Sequence, residues 1–123
     1  MQNLILEATN ITPYTRFETN GQLLLKGRSM VFDVNLFYQP LIDWVSLLET
    51  PAVDLIIDLD YLNSGSQKKI LELLRIIDAK AGITTFNVIW LYETDDEDIL
   101  EMGQLFEEKL RKANFWFKEY AEN

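Results

Sequence analysis

The chain has 123 residues, of which 48% are hydrophobic, and it carries a net charge of −9 with no cysteine and no histidine. This length and composition fit one domain, residues 1–123, with a substantial hydrophobic core. The negative charge disfavours nucleic acid and anionic membranes as partners, since both would repel it. Without cysteine or histidine the chain has no disulfides, no thiolate metal site and not the commonest general base. No apolar run is long enough to span a membrane and no basic stretch precedes the short apolar run at the N-terminus, so we expect a cytoplasmic protein.

The first quarter of the chain predicts antiparallel strands. Residues 4–8 form a short apolar run, and Asn20-Gly21 separates two further runs at 14–19 and 22–26. Asn-Gly accommodates the positive φ angles of a tight two-residue turn, so we expect a β-hairpin here.

The first predicted helix begins after Asp33, a favourable N-cap residue, and ends near Glu49. Apolar side chains recur at helical spacing within it. These are Phe37, Leu41, Trp44, Val45 and Leu48. Pro40 lies inside the helix, where it removes one backbone hydrogen bond.

The rest of the chain alternates strands and helices. Residues 53–59 and 86–92 are apolar with little alternation, which is typical of central strands covered on both faces. Helices are predicted at about 66–80 and 96–112, and a last strand at 115–119. Such alternation implies right-handed parallel crossovers. We therefore predict an α/β fold with one mixed sheet, an N-terminal β-hairpin, a βαβαβ C-terminal part and three main helices.

The junction between the strand at 53–59 and the next helix has the sequence NSGSQK, residues 63–68. Ser64 and Gln67 match a capping box, in which the hydroxyl accepts a hydrogen bond from a first-turn amide. The carboxyl end of a central strand is also where α/β sheets place functional sites. A phosphate on Ser64 would lie at the positive end of the helix dipole. The residues thus fit both a structural cap and a phosphorylation site, and one serine could serve as both.

The most acidic stretch of the chain is residues 93–98, ETDDED. Carboxylates suit hard cations, but the spacing matches no calcium-binding loop. Thr94 and Glu97 fit a second capping box, so we expect the start of a helix and no metal. The alternative is a small metal-dependent enzyme that uses this cluster. We find no catalytic or cofactor-binding motif elsewhere, and we therefore expect no catalysis and no cofactor.

The predicted helix after residue 66 has a second, outward face that could contact a partner. Steps of 100° place five side chains away from its inner stripe. They are Lys68, Glu72, Arg75, Ile76 and Ala79. The alternative is that Ile76 marks a half-covered edge of the helix.

Four stretches together resemble the SiaC-type family of bacterial regulatory phosphoproteins that control biofilm formation. They are GRS (27–29), FYQPLIDW (37–44), YLNSGSQK (61–68) and YETDDED (92–98). They occur in the same order and at the same spacing as in the family, over nearly the whole chain. The resemblance implies a fold similar to STAS domains, the class that includes anti-sigma factor antagonists.

The resemblance also implies a phosphorylation site. The family has approximately Y-F-N-T-S-S-x-K at the junction, and its modified threonine falls on Ser64. We therefore predict that Ser64 is the phosphoacceptor, that Ser66 is not, and that both belong to a phosphosite loop with Asn63, Gly65 and Lys68. Two residues depart from the family pattern: Gly65 replaces a serine, and Val34 replaces the proline that commonly opens the first helix.

The family operates by partner switching, which supplies the expected partners. A protein kinase phosphorylates the small protein, and a PP2C-type phosphatase reverses the modification. The unmodified form binds and stimulates a diguanylate cyclase, which raises cyclic di-GMP. We predict that Lys68, Glu72, Arg75 and Ile76 contact this enzyme. An anti-sigma factor antagonist, whose partner would be a kinase-like anti-sigma factor, is the alternative.

Overall fold

The structure is a computed structural model that describes residues 1–121. Within that range, strands dominate the N-terminal part, and strands alternate with helices after it. The elements are β1 (Leu4–Leu6), β2 (Tyr14–Phe17), β3 (Gln22–Ser29), α1 (Val34–Leu47), β4 (Ala52–Leu62), α2 (Ser64–Ala79), β5 (Thr85–Glu93), α3 (Glu97–Glu108) and β6 (Asn114–Tyr120).

The six strands form one sheet in sequence order, β1-β2-β3-β4-β5-β6. The β1–β2 and β2–β3 pairs are antiparallel, and the β3–β4, β4–β5 and β5–β6 pairs are parallel. The predicted mixed α/β sheet is confirmed, and β4 and β5 are adjacent interior strands as expected.

The predicted hairpin between β2 and β3 is confirmed, but its connection has four residues, 18–21. Of the Asn20-Gly21 pair, Gly21 alone has positive φ, at 95°. Its N–H donates to the carbonyl of Glu18 at 3.0 Å. A Cβ on Gly21 would lie 2.1 Å from the carbonyl oxygen of Ala52, so the parallel neighbour β4 also requires a glycine here.

All three helices cover the same face of the sheet. The order β3-β4-β5-β6 advances in one direction, so right-handed crossovers place every connecting helix on one side. On that side Phe17 of β2 contacts the ring of Trp44 of α1, with centroids 5.5 Å apart. Trp90 of β5 donates from Nε1 to the carbonyl of Ile99 in α3 at 2.9 Å.

The core therefore lies between the sheet and the helices. Buried and half-buried residues alternate along β4 and β5. The buried set includes Leu55, Ile57, Val88 and Trp90, whereas Ile56 and its neighbours on the other face are half-buried. The expectation that these strands are covered on both faces is wrong, because the apolar side chains of the second face have no helix over them.

The helices predicted to start near residues 33 and 96 are both capped at their amino ends by an aspartate. Asp33 Oδ1 accepts from the N–H of Leu36 at 3.1 Å, as predicted. Asp96 Oδ1 accepts from the N–H of Ile99 at 3.1 Å and caps α3. The predicted capping box of Thr94 and Glu97 is wrong, since the Thr94 hydroxyl donates to the carbonyl of Tyr120 at 3.1 Å.

Candidate functional site

The junction between β4 and α2 is organised by Asn63. This residue is the N-cap of α2, and its Oδ1 accepts from the N–H of Ser66 at 2.9 Å. The predicted capping box is wrong in both members: Ser64 is the first helical residue, and Gln67 donates from Nε2 to the carbonyl of Leu62 at 3.2 Å. Asparagine caps a helix as well as serine does, so the tertiary contacts of Asn63 decide the choice.

Those tertiary contacts reach the segment before α1. Asn63 Nδ2 donates to the carbonyl of Val31 at 2.9 Å, and its backbone N–H donates to the carbonyl of Ser29 at 3.0 Å. The start of α2 is therefore fixed to the end of β3 and to the loop that leads into α1.

Ser64 is exposed at the amino end of α2. Among the residues that the structure describes, its hydroxyl has no hydrogen-bond partner. The first backbone hydrogen bond of the helix runs from the N–H of Gln67 to the carbonyl of Asn63 at 3.0 Å, so the N–H groups of Ser64 and Gly65 precede it. A kinase could reach this hydroxyl, and a phosphate on it would lie at the positive end of the helix dipole.

Ser66 is in the same turn but is fully buried. Ser29 Oγ donates to Ser66 Oγ at 2.7 Å, and Tyr38 Oη lies 2.5 Å from Ser29 Oγ. Because the Ser29 proton is directed at Ser66, Tyr38 is the donor to Ser29. Ser66 was expected a turn deeper in the helix than Ser64; what separates the two serines is burial and bonding.

The hydroxyls of Tyr38, Ser29 and Ser66 form a buried hydroxyl chain, and burial keeps its tyrosine protonated. It raises the pKa of Tyr38 to about 12, against the smaller, opposite effect of the hydrogen bonds to Ser29 and Ser66. Tyr38 is therefore a neutral hydrogen-bond donor at physiological pH, and the three hydroxyls join β3, α1 and α2.

The two departures from the family pattern lie against each other. A Cβ on Gly65 would be 2.9 Å from Cγ1 of Val34, closer than real contacts allow. Gly65 thus leaves room for the valine that opens α1. The sequence shows both changes, but their contact is visible only in the structure.

The outward residues predicted on α2 lie together. Lys68, Glu72 and Arg75 are exposed and line a shallow groove of about 440 Å³. Ile76 lines the same groove but is half-buried and packs against the core, so it is less exposed than predicted. Glu72 Oε1 lies 3.8 Å from Lys69 Nζ.

An apolar patch that was not predicted from the sequence lies beside the junction. Phe32 is 87% exposed and Leu36 is 76% exposed, and both flank the α1 cap. Phe32 follows Val31, whose carbonyl is bonded to Asn63. A large apolar residue just before an N-cap commonly packs on its own helix, so the sequence gives no sign that Phe32 points outward.

The acidic stretch 93–98 forms the start of α3. Asp95 has a φ of 72°, and Asp96 provides the helix cap. In the described part of the chain, no group of three or more histidine, cysteine, aspartate or glutamate side chains is arranged to hold a metal ion. Among residues 1–121, the helices are also too short or too polar to cross a bilayer.

Comparisons with known proteins agree with this architecture. The model of the SiaC family regulatory phosphoproteins matches residues 6–120. SiaC of Pseudomonas aeruginosa superimposes with a TM-score of 0.77 at 23% identity, covering 99% of this chain and 100% of that one. Apo-SiaC from the same organism gives a TM-score of 0.76 at 26% identity, covering 98% and 100% of the two chains.

A third solved structure contains a partner. The crystal structure of the diguanylate cyclase SiaD in complex with its activator SiaC from Pseudomonas aeruginosa matches with a TM-score of 0.75 at 25% identity. The match covers 97% of this chain and 99% of the matched chain. A comparison with curated protein sequences gives no significant match. The family match extends over almost the entire chain and the fold agrees throughout, so this chain belongs to the SiaC family of regulatory phosphoproteins.

Proposed function

We propose that this chain is a non-catalytic, cytoplasmic regulator, a single domain over residues 1–123, that is switched by phosphorylation of Ser64. Its unmodified form binds and stimulates a diguanylate cyclase. The observation that carries the proposal is the contrast at the start of α2, where the exposed Ser64 hydroxyl has no hydrogen-bond partner within residues 1–121, while Ser66 is buried and hydrogen-bonded. The crystal structure of SiaC as activator of the cyclase SiaD supports the choice of partner.

A cognate protein kinase and a PP2C-type phosphatase complete the cycle. The kinase needs a serine hydroxyl that it can reach without unfolding the helix, and Ser64 meets this condition. Ser66 does not, since its hydroxyl is enclosed by Ser29 and Tyr38. The predicted phosphosite loop is the cap and the first turns of α2 in the structure, and Asn63, Gly65 and Lys68 form the remainder of the surface that the two enzymes would contact.

The switch acts through charge at the contact surface. Phosphorylation adds about −1.5 to −2 charges and three strong hydrogen-bond acceptors. If the cyclase covers Ser64, desolvation and crowding of the phosphate weaken binding by roughly 10²-fold. Because the Ser64 hydroxyl has no bonds to lose among the described residues, no internal rearrangement is needed.

The proposed contact surface for the cyclase runs from Ser64 along the groove of α2. Lys68, Glu72 and Arg75 offer exposed charges there, and Ile76 offers an apolar floor. Since Ile76 also packs against the core, Arg75→Glu is a cleaner test of this surface than Ile76→Asp.

The decisive experiment compares three forms of the protein against its cognate cyclase. These are the unmodified chain, Ser64→Ala, and the chain carrying phosphoserine at position 64, each verified by intact mass. We expect the first two to bind and raise cyclic di-GMP synthesis, and the third to lose about 10²-fold in affinity. Phosphopeptide mapping after kinase treatment should place the label on Ser64.

Arg75→Glu should lower cyclase affinity about tenfold, whereas Arg111→Glu, an exposed charge reversal outside α2, should not. Label on Ser66, or equal stimulation by the phosphorylated form, would show that the proposed switch is wrong. Affinity of Arg75→Glu equal to that of the unmodified chain would remove the α2 groove from the interface.

A further inference from the structure

We propose that Phe32 and Leu36 form the apolar anchor of the cyclase interface and insert into an apolar recess of the diguanylate cyclase. The anchor lies at the start of α1, beside the start of α2 with its phosphoacceptor. The inference rests on the proposed function, because it adds two residues to the contact surface that contains Ser64. Phe32 then supplies most of the affinity, and Ser64 controls it.

Folding leaves both anchor side chains unused. Phe32 and Leu36 have the highest exposed fractions among the large apolar side chains in the part of the chain that the structure describes. They belong neither to the hydrophobic core nor to the residues packed against it. A residue just before an N-cap commonly packs on the fourth helical residue, here Phe37. The ring of Phe37 packs instead on Tyr38, with centroids 4.9 Å apart, and Phe32 has no ring contact with any described residue.

The segment that carries Phe32 is nevertheless held in place. The N–H of Met30 donates to the carbonyl of Ile11 at 2.8 Å. The carbonyl of Val31 accepts from Asn63 Nδ2 at 2.9 Å. Phe32 is thus exposed on a backbone that is fixed before any partner binds, so its insertion costs little backbone freedom.

The bond between Val31 and Asn63 also limits the distance from Phe32 to Ser64. Phe32 follows one of the two bonded residues and Ser64 follows the other. Standard covalent geometry then places the Cα atoms of Phe32 and Ser64 within about 13 Å of each other. Leu36 lies in the first turn of α1, directly after this segment.

The size of a stable interface selects the cyclase as the occupant. In the charge-based switch, the released partner is the one that covers Ser64. A stable interface buries about 800 Å² on each protein, which is a patch roughly 30 Å across. A cyclase centred on Ser64 therefore covers Phe32. A kinase or phosphatase must dissociate after each turnover, and a deeply inserted aromatic side chain would slow that step.

The anchor also supplies what the α2 groove lacks. The exposed side chains of the groove are Lys68, Glu72 and Arg75, and its apolar residue Ile76 is half-buried. The centres of interfaces are rich in aromatic side chains and poor in charged ones. A phenyl side chain such as that of Phe32 removes roughly 150–250 Å² from water when it is buried. The groove then contributes orientation, and the anchor contributes affinity.

The test measures the affinity of the cognate cyclase for variants of the full chain by titration calorimetry. Phe32→Ser should weaken binding about 30-fold or more, as the loss of an interface hot spot does. Phe32→Leu keeps an apolar side chain and should weaken it by less than about tenfold. Leu36→Ser should weaken binding about fivefold or more. The matched control Leu105→Ser removes an exposed leucine of α3 and should bind like the unmodified chain.

Two further measurements separate binding from folding and from kinase recognition. Urea denaturation should give the same midpoint for these variants and the parent chain, because none of the three side chains belongs to the core. The cognate kinase should phosphorylate Ser64 at the same rate in Phe32→Ser as in the parent chain. The chain carrying phosphoserine at position 64 is titrated alongside, as the check on the proposed function.

The outcomes distinguish the anchor from the switch. If Phe32→Ser keeps parental affinity for a cyclase that still releases the phosphorylated chain, the anchor is wrong and the proposed function stands. If the phosphorylated and unmodified chains bind equally, the proposed function is wrong, whereas a loss in Phe32→Ser would still identify the anchor. Slower phosphorylation of Phe32→Ser with unchanged cyclase affinity would assign the patch to the kinase and overturn the proposal. Dimerisation in sedimentation experiments that Phe32→Ser abolishes, again with unchanged cyclase affinity, would assign the patch to a second copy and overturn it too.

Discussion

Ser64 and Ser66 have opposite environments because Asn63, at the junction between β4 and α2, is the residue that caps the helix. Its side chain caps α2 and holds the loop before α1, through bonds to the N–H of Ser66 and the carbonyl of Val31. Ser64 is thereby relieved of capping and can be modified without loss of the helix start. Ser66 contributes its hydroxyl to the interior and is protected from a kinase.

Stability measurements distinguish the cap residue, Asn63, from the proposed phosphoacceptor, Ser64. Asn63→Ala should lower the free energy of unfolding by about 1–2 kcal/mol, since it removes the cap and the bond to Val31. Ser64→Ala should change it by less than about 0.5 kcal/mol, because its side chain is exposed. Urea denaturation of both variants measures the difference. A cost near 1 kcal/mol for Ser64→Ala would instead restore the capping box expected from the sequence.

The buried hydroxyl chain predicts a specific dependence of stability on alkaline pH. The pKa of Tyr38 is about 12 in the folded protein and about 10 in an unfolded chain. Between these values the unfolded chain releases a proton that the folded chain keeps. The stability due to Tyr38 is therefore fully present below pH 10 and is lost as the pH rises towards 12.

Tyr38→Phe removes this titration and leaves those of the lysines in place. We expect the free energy of unfolding of the parent chain to fall more steeply than that of the variant between pH 10 and 12. The difference across that window should be about 2–3 kcal/mol. Parallel stability curves for the two proteins would mean that the Tyr38 hydroxyl reaches solvent.

At the scale of elements, α1 and α2 are joined where they begin. Gly65 of α2 faces Val34 of α1, and the family pattern has a serine and a proline at these places. A serine at position 65 would require movement of Val34, whose β-branched side chain is stiff in a helix. The two departures from the pattern therefore form one packing unit.

This contact predicts non-additive substitutions. Gly65→Ser should cost about 0.5–1.5 kcal/mol alone and less in the presence of Val34→Ala, with a coupling energy of about 1 kcal/mol. The control pair is Gly65→Ser with Leu36→Ala, because Leu36 is exposed and is not among the atoms nearest to position 65. A double-mutant cycle by chemical denaturation measures both couplings. If the effects of Gly65→Ser and Val34→Ala on the free energy of unfolding are additive, the contact between α1 and α2 adjusts to the serine without strain.

The sequence predicted most of the elements and the mixed sheet, because hydrophobic spacing and the Asp33 cap are local signals. It misplaced the caps at Ser64 and Thr94, since asparagine, aspartate, serine and threonine are all good N-caps and a neighbour in space chooses between them. It also predicted that β4 and β5 are covered on both faces. Ile56 and Ile89 look like core residues in the sequence, and only the strand order shows that every crossover lies on one side.

The charge around the start of α2 differs from the net charge of the whole molecule. The start of α2 presents Ser64 with Lys68 one turn further along, within a chain of net charge −9. A phosphate on Ser64 would add negative charge to a molecule that is already negative. It would, however, lie close to Lys68 and to the amino terminus of α2. Its local surroundings favour it even though the net charge opposes it.

This local balance predicts that phosphorylation leaves the fold intact. Phosphoserine at position 64 should keep or raise the free energy of unfolding by about 0.3–1 kcal/mol, through the dipole of α2 and an i,i+4 pair with Lys68. Phosphoserine at position 46 is the matched control. It adds the same charge in the last turn of α1, where the dipole is unfavourable. Because Lys80 Nζ donates to the Ser46 carbonyl at 2.7 Å, this control is made in Lys80→Ala and compared with Lys80→Ala alone, and the phosphate should then lower the free energy of unfolding. Urea denaturation of the two mass-verified proteins makes the comparison. If phosphoserine 64 destabilises the chain as much as phosphoserine 46, the switch acts by loosening the corner, and the charge-based account of partner release is wrong.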